Sequence, residues 1–208
     1  MKFALASALV LASVTHSHAD DTGMKLVQVM MRCPAISSDG KHIAMYSLTA
    51  TKDKKARTSL VVFEPKGKVE QRIEIVPPMT DATRAAADAD KVVKVLDDGG
   101  YKRMSRVAVK DEKNEGTAFS GQFSSEDVVL DIKLAKRTLT IDGTRAGKKL
   151  ATITKALPKD GACKAVDHYS LTNTMSGFDA TSGAFAFQIT ASEKDTVCFS
   201  HEFVTPLK

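Results

Sequence analysis

The chain has 208 residues, a formal net charge of +5, no Trp and an aromatic content of 6%. Mild basicity spread along the chain is not the concentrated charge of a nucleic-acid-binding protein. The low aromatic content disfavours the stacking platforms that bind carbohydrate or single-stranded nucleic acid. The length suits one domain with a real core, whereas two halves would each be short of apolar surface to bury.

The N-terminus has the pattern of a cleavable signal peptide. Lys2 supplies a positive start, residues 3–15 form an apolar run, and small residues end the segment at Ala19. The run is shorter than the roughly twenty residues that span a bilayer. We therefore predict a signal peptide over 1–19 and a single exported domain over 20–208, in the periplasm or outside the cell and without stable membrane insertion.

Residues after the leader alternate with a period of two, which is typical of β-strands. Pro and Gly residues mark the ends of the alternating segments. Strands are predicted over 26–31, 43–46, 59–64 and 69–76, with a tight turn at 37–40 and a hairpin loop at 65–68.

The period changes after Thr80 to that of a helix. Thr80 or Asp81 is the natural N-cap, and Gly99 with Gly100 ends the segment. We predict one amphipathic helix over about 81–98, packed on the sheet made by the flanking strands. Its apolar face carries Ala85, Ala89, Val92, Val93 and Leu96.

Short strand-like segments resume beyond the helix and are separated by turn signals every eight to twelve residues or so. The polar segment 110–116 is typical of a loop. The fold class is therefore α+β: mainly antiparallel sheet with one helix, in a single domain. The remaining strands are predicted over 103–109, 127–134, 138–141, 149–154, 166–172, 183–190 and 196–204.

Three cysteines in an exported chain favour one disulfide. Cys163 and Cys198 both border strand-like runs in the last quarter of the chain, so we predict that they pair. Closing this loop would stabilise the fold by about 4 kcal/mol on the chain-entropy model. Cys33 is then a free, buried core residue, although its pairing with either of the other two stays open from the sequence.

Histidines and neighbouring carboxylates give no recognisable catalytic pattern. His42 and His168 lack the close His or Cys spacings of common metal sites, and Cys198, three residues before His201, is assigned to the predicted disulfide. Asp167-His168 and His201-Glu202 each join a carboxylate to an imidazole, but neighbours on a strand are expected to point to opposite faces. We predict no catalytic residue, no metal and no cofactor, and keep as an alternative a hydrolase or metal-dependent enzyme using His168 and His201 with a distant carboxylate.

Two clusters of basic residues offer a second alternative, in which the protein binds anions or a charged surface. The leading interpretation is a non-enzymatic binding or envelope-associated module whose partner is an envelope or extracellular protein, not a nucleic acid. The clusters are Lys52, Lys54, Lys55 and Arg57, and Arg145, Lys148 and Lys149.

The segment Ala-Ile-Ser-Ser-Asp-Gly-Lys-His-Ile-Ala-Met-Tyr-Ser at 35–47 resembles the repeat of TolB-type β-propellers, whose blades carry a Ser-x-Asp-Gly-Lys turn between two strands. Looser echoes lie at 123–129 and 178–187. The resemblance implies an envelope protein that binds other proteins, with no catalytic residues to carry over. Propeller blades repeat at a regular spacing, but these three segments do not. We therefore predict that the Asp39-Gly40 pair marks a hairpin turn and not a propeller blade.

Intact mass spectrometry of the natively exported protein tests the export and disulfide predictions together. We expect an N-terminus at Asp20 and, after thiol alkylation without reductant, one modified cysteine. Retention of residues 1–19 together with three modified cysteines would place the chain in a reducing compartment and contradict both predictions.

Overall fold

A computed structural model describes residues 21–50, 56–77, 80–125, 127–157, 166–171, 175–194 and 196–207. The described ranges form two helices and three antiparallel sheets. Within them, no helix combines the length and the apolar character needed to cross a membrane. The predicted signal peptide and Cys163 lie outside the described residues.

Residues 21–32 form helix α1, so the strand predicted over 26–31 is wrong, and so is the prediction of a single helix. A short apolar run fits a strand or a helix equally well, because its period cannot be read. In the helix the run divides between two faces. Leu26 and Val29 pack on the core, whereas Val27 and Met31 are exposed.

The second helix, α2 (Ala82–Asp98), confirms the predicted amphipathic helix. Asp81 is its N-cap, and the Asp81 side chain accepts a hydrogen bond from the Arg84 backbone nitrogen at 3.0 Å. The helix ends at Gly99, also as predicted. Four residues of the predicted apolar face are buried: Ala85, Ala89, Val92 and Leu96.

Two ion pairs show that the helices run in the same direction. Lys25 Nζ lies 2.8 Å from Asp90 Oδ1, and Arg32 Nη1 lies 2.7 Å from Asp97 Oδ1. A step of seven residues along α1 therefore matches a step of seven along α2, as expected for parallel helices. Exposed pairs of this kind add at most about 1 kcal/mol, so they indicate orientation more than stability.

The first sheet has the strand order β4-β3-β2-β1-β5, with antiparallel neighbours. Its strands are β1 (Ala35–Ile36), β2 (Ile43–Ala50), β3 (Ala56–Phe63), β4 (Val69–Ile75) and β5 (Lys102–Arg103). A two-residue strand, β6 (Ser105–Arg106), follows and joins a different sheet.

The hairpin turn predicted at Asp39-Gly40 is confirmed. Asp39 Oδ1 accepts hydrogen bonds from Ser37 Oγ at 2.6 Å and from the Lys41 backbone nitrogen at 3.0 Å. Gly40 has a φ of +70°, which a glycine adopts without strain. The wider likeness to propeller repeats stays a prediction.

The second sheet is a meander of neighbouring antiparallel strands in chain order. The segment 110–116, predicted as a loop from its polarity, lies mostly within the first of them. That strand is at the edge of the sheet, where charged side chains face solvent and discourage pairing with other chains. The strands are β7 (Ala108–Glu115), β8 (Ala118–Ser125), β9 (Val128–Ala135), β10 (Thr138–Arg145) and β11 (Lys148–Ala156).

The third sheet is built around one long strand. Its strands are β12 (His168–Leu171), β13 (Gly177–Asp179), β14 (Ala184–Glu193) and β15 (Thr196–Pro206), together with β6. β15 pairs along one edge of β14, whereas β12 and β13 share the other edge. β15 is therefore an edge strand within the described chain.

Alternation along β14 fixes how the layers stack. Phe185 and Phe187 join an apolar cluster with the second sheet, whereas Ala184 and Ala186 join one with the first sheet. The opposite face of the first sheet packs on α1 and α2. The layers therefore follow the order helices, first sheet, third sheet and second sheet.

The loop of the β3–β4 hairpin predicts a strong effect of one substitution. Gly67 has a φ of +89°, and a Cβ atom there would collide with the Val204 backbone oxygen of β15. We expect Gly67→Ala to lower the free energy of unfolding in urea by at least about 2 kcal/mol. Gly147→Ala is the matched control, because Gly147 has a φ of +76° and open space around it. Equal losses in the two variants would contradict the close approach of hairpin and strand.

Candidate functional site

A cleft of about 370 Å³ lies at the edge strand β15. Residues of the β3–β4 hairpin and of β11 also line it, so all three sheets contribute side chains. We call it the β15 cleft. Its charged and titratable lining residues are Arg72, Lys155, His201 and Glu202.

Lys155 occupies a position on β11 where the strand pattern calls for an apolar residue. Lys155 pairs in register with Leu139, two residues along the strands from the pair formed by Ile141 and Ile153. Residues two apart share a face, so Lys155 lies on the core face of the sheet. Its Nζ donates a hydrogen bond to the Val204 backbone oxygen at 3.2 Å. Burial lowers the pKa of Lys155.

The ammonium of Lys155 also lies 5.8 Å from the centre of the Phe203 ring, within the range of a cation–π contact. Among the described residues it has no ion-pair partner, and burial is the one cause of its lowered pKa. A half-buried cation with no ion-pair partner in the described chain favours the approach of an anion from solvent.

Glu202 brings a nearly buried carboxylate to the same cleft, with 3% of its side chain exposed. Its Oε1 accepts a hydrogen bond from Gln188 Nε2 at 3.1 Å. Its Oε2 lies 3.8 Å from Arg72 Nη2, beyond hydrogen-bond distance. Arg72 is 42% exposed and donates through Nη1 to Ser59 Oγ at 2.9 Å. The carboxylate therefore keeps one oxygen that can still accept a strong hydrogen bond.

His201 lines the cleft from the opposite face of β15. Its ring lies 4.8 Å from the Phe203 ring in an edge arrangement, whereas Glu202 turns toward Gln188. This confirms the prediction that neighbours on a strand point to opposite faces. Burial lowers the pKa of His201, which favours the neutral form of its imidazole.

Asp167 and His168 behave differently from the prediction. His168 Nδ1 and Asp167 Oδ1 lie 2.7 Å apart, because Asp167 precedes β12 and is not bound by strand alternation. Asp167 Oδ2 also accepts a hydrogen bond from the Lys194 backbone nitrogen at 2.6 Å. These two hydrogen bonds, that from Lys194 first, lower the pKa of Asp167. The pair is partly exposed to solvent and lies away from the β15 cleft.

His168 and His201 do not converge on one site. They pair with Ser192 and Ile189 on the two edges of β14, so about 10 Å of sheet separates their strands. Ser192 and Ile189 are three residues apart along β14, which places the two histidines on opposite faces of the sheet. This geometry does not give the hydrolase alternative a shared metal site, whose ligand atoms lie about 2 Å from one ion.

The described members of the basic clusters named from the sequence do not line the cleft. Arg145 Nε donates a hydrogen bond to Asp127 Oδ2 at 2.9 Å. Arg57 Nη1 lies 3.7 Å from Glu74 Oε1. Lys148 and Lys149 are the first two residues of β11, directly after the β10–β11 turn, and both are exposed. The remaining members, Lys52, Lys54 and Lys55, lie outside the described residues.

The cysteine predictions are settled in part. Cys33 is a free, buried thiol, as predicted, and burial raises its pKa to about 12. Cys198 is buried on β15 beside the second sheet. The Cys163–Cys198 disulfide stays a prediction, because Cys163 lies outside the described residues.

Comparisons with protein-family models, curated proteins and solved structures find no match to this chain. The chemistry of the cleft therefore rests on its own residues. The sequence held one overlooked signal, since Lys155 continues the inward alternation of Ala151 and Ile153 on β11. A lysine in phase with buried positions is more informative than lysines clustered in turns.

Replacement of Lys155 tests whether its charge opposes folding. Burial lowers the pKa of Lys155 in the folded state, whereas its pKa in the unfolded chain is near 10.5. At pH values between these two pKa values, unfolding is accompanied by the uptake of a proton. We expect Lys155→Met to be at least as stable as the parent at pH 7. The stability of the parent relative to this variant should rise as the pH approaches 10.5, as measured by urea unfolding across pH.

Lys149→Met provides the control, because Lys149 lies on the same strand and is exposed. We expect its stability to stay within about 0.5 kcal/mol of the parent at each pH. A marked loss of stability in Lys155→Met at pH 7 would instead assign Lys155 a structural role.

Proposed function

We propose that the protein is an exported, non-enzymatic binding module and that the β15 cleft is its binding site for an anionic group of the partner, a carboxylate or a phosphate. The observation that carries this proposal is the Lys155 ammonium, which is half-buried without an ion-pair partner in the described chain. An apolar residue at the same register position would avoid the desolvation cost of the charge.

The charge of the cleft supports the proposal. Arg72 and Lys155 contribute two positive charges and Glu202 one negative charge, while burial favours the neutral form of His201. The balance favours one bound negative charge. An anion beside Lys155 would also be shielded from water by Phe203 and the β3–β4 hairpin, which strengthens the attraction relative to an exposed pair.

Export is supported by the leader pattern of residues 1–19, and the partner we propose is an envelope or extracellular protein. Such a partner presents carboxylates as side chains or as its chain terminus. The second candidate is anion or surface binding through Arg145, Lys148 and Lys149, which lie together around the β10–β11 turn. Exposed charges of that kind bind weakly and are screened by salt.

Titration of the isotope-labelled protein with sodium acetate and with inorganic phosphate, followed by amide chemical shifts, tests the proposal. We expect binding in the millimolar range, about what one ion pair gives, with shifts centred on β11 and β15. Lys155→Met should weaken binding at least about tenfold, whereas Lys149→Met should leave it unchanged.

The second candidate makes the opposite prediction in the same experiment. Shifts centred on the β10–β11 turn that survive Lys155→Met and disappear in Lys149→Met would contradict the cleft and favour the surface cluster. Potassium chloride at high concentration would abolish that binding first, because exposed charges are the most strongly screened.

A further inference from the structure

We infer that the β15 cleft recognises a carboxylate that carries an N–H donor on the adjacent carbon together with an apolar side chain. This is the chemistry of a free amino acid or of the last residue of a peptide. The inference rests on the proposed anion site and adds two features of the ligand, each read from a separate observation in the cleft.

The N–H donor follows from Glu202. Its Oε1 accepts a hydrogen bond from Gln188 Nε2. Within the described chain, its Oε2 has no short hydrogen bond and lies 3.8 Å from Arg72 Nη2. The Glu202 side chain is nearly buried and its Oε2 has no short hydrogen bond in the described chain, so a ligand that donates to this oxygen gains a charge-assisted hydrogen bond. The same carboxylate repels a dianionic phosphate more strongly than a singly charged carboxylate, which favours a carboxylate as the bound anion.

The apolar side chain follows from Val69, which is 46% exposed and lines the cleft. A bulge between Val62 and Phe63 shifts the register of β4, so Val69 pairs with Phe63. Cross-strand partners share a face, and Phe63 faces the third sheet. The bulge thus places an exposed apolar residue on the wall of a charged cleft.

The three groups assign one orientation to the ligand. Its carboxylate lies at Lys155, its N–H donates to Glu202 Oε2, and its side chain packs on Val69. Arg72, on the same strand as Val69, adds a second positive charge and keeps Ser59 as its hydrogen-bond partner. A ligand with reversed polarity would bring like charges together at both ends.

Four small molecules separate these features in the unmodified protein. We expect N-acetylleucine to bind at least about tenfold more tightly than 4-methylpentanoate, which has the same carboxylate and side chain but no nitrogen. Leucinamide, which lacks the carboxylate, should bind more weakly than either. Leucine itself reports the source of the ligand: tighter binding than N-acetylleucine indicates a free amino acid, and weaker binding indicates a peptide terminus.

The variant Glu202→Gln supplies the matching change in the protein. Gln188 can still donate to its carbonyl oxygen, but the new amide group replaces the free acceptor with a donor. We expect N-acetylleucine and 4-methylpentanoate to bind this variant with equal affinity. 4-Methylpentanoate should bind the variant no more weakly than the unmodified protein, because a negative charge near its carboxylate has been removed. An amide spectrum of the variant verifies that it is folded.

The outcomes distinguish this inference from the proposed function. Equal affinities of N-acetylleucine and 4-methylpentanoate for the unmodified protein would overturn the inference and leave the anion site in place. Failure of every carboxylate to bind, or binding unaffected by Lys155→Met, would overturn the proposed function as well.

Discussion

The burial of β14 on both faces is the constraint on which the rest of the fold depends. Phe185 and Phe187 stack with ring centres 4.8 Å apart toward the second sheet, and Ala184 and Ala186 face the first. Each fully buried phenylalanine contributes about 2 to 3 kcal/mol of transfer free energy. Small residues on one side and large ones on the other set the spacing to the two neighbouring sheets, so neither sheet can pack independently of this strand.

Covering both faces of the third sheet leaves its edge as the route to solvent. β15 forms one edge of this sheet within the described chain, and an unpaired strand edge attracts other chains. The protein closes part of it: Lys155 donates to the Val204 oxygen, and the hairpin at Gly67 comes so close that only a glycine fits. The part left open is the β15 cleft. The position of the candidate site is therefore a consequence of the layer order.

Sequence patterns predicted the elements whose period is unmistakable. The apolar stripe from Ala85 to Leu96 fits only the period of a helix, and the alternation from Val128 to Leu134 fits only that of a strand. The predicted helix and the predicted strand are both confirmed. The run at 26–31 fits two periods, and only its packing against α2 and the first sheet decides for a helix. Strand order, and with it the meeting of Arg72 with Glu202, depends on contacts between residues 130 positions apart. No local pattern records such contacts.

Edge protection could by itself explain a lysine on β11, because lysines at sheet edges discourage pairing. It does not explain Glu202, since a carboxylate that is 97% buried guards no edge and needs Gln188 and Arg72 to offset its desolvation. An apolar pair at 188 and 202 would fill the space between the first and third sheets without that cost. Two opposite charges, each incompletely satisfied and both lining one cleft, are more readily understood as the two ends of a site for a ligand of complementary polarity.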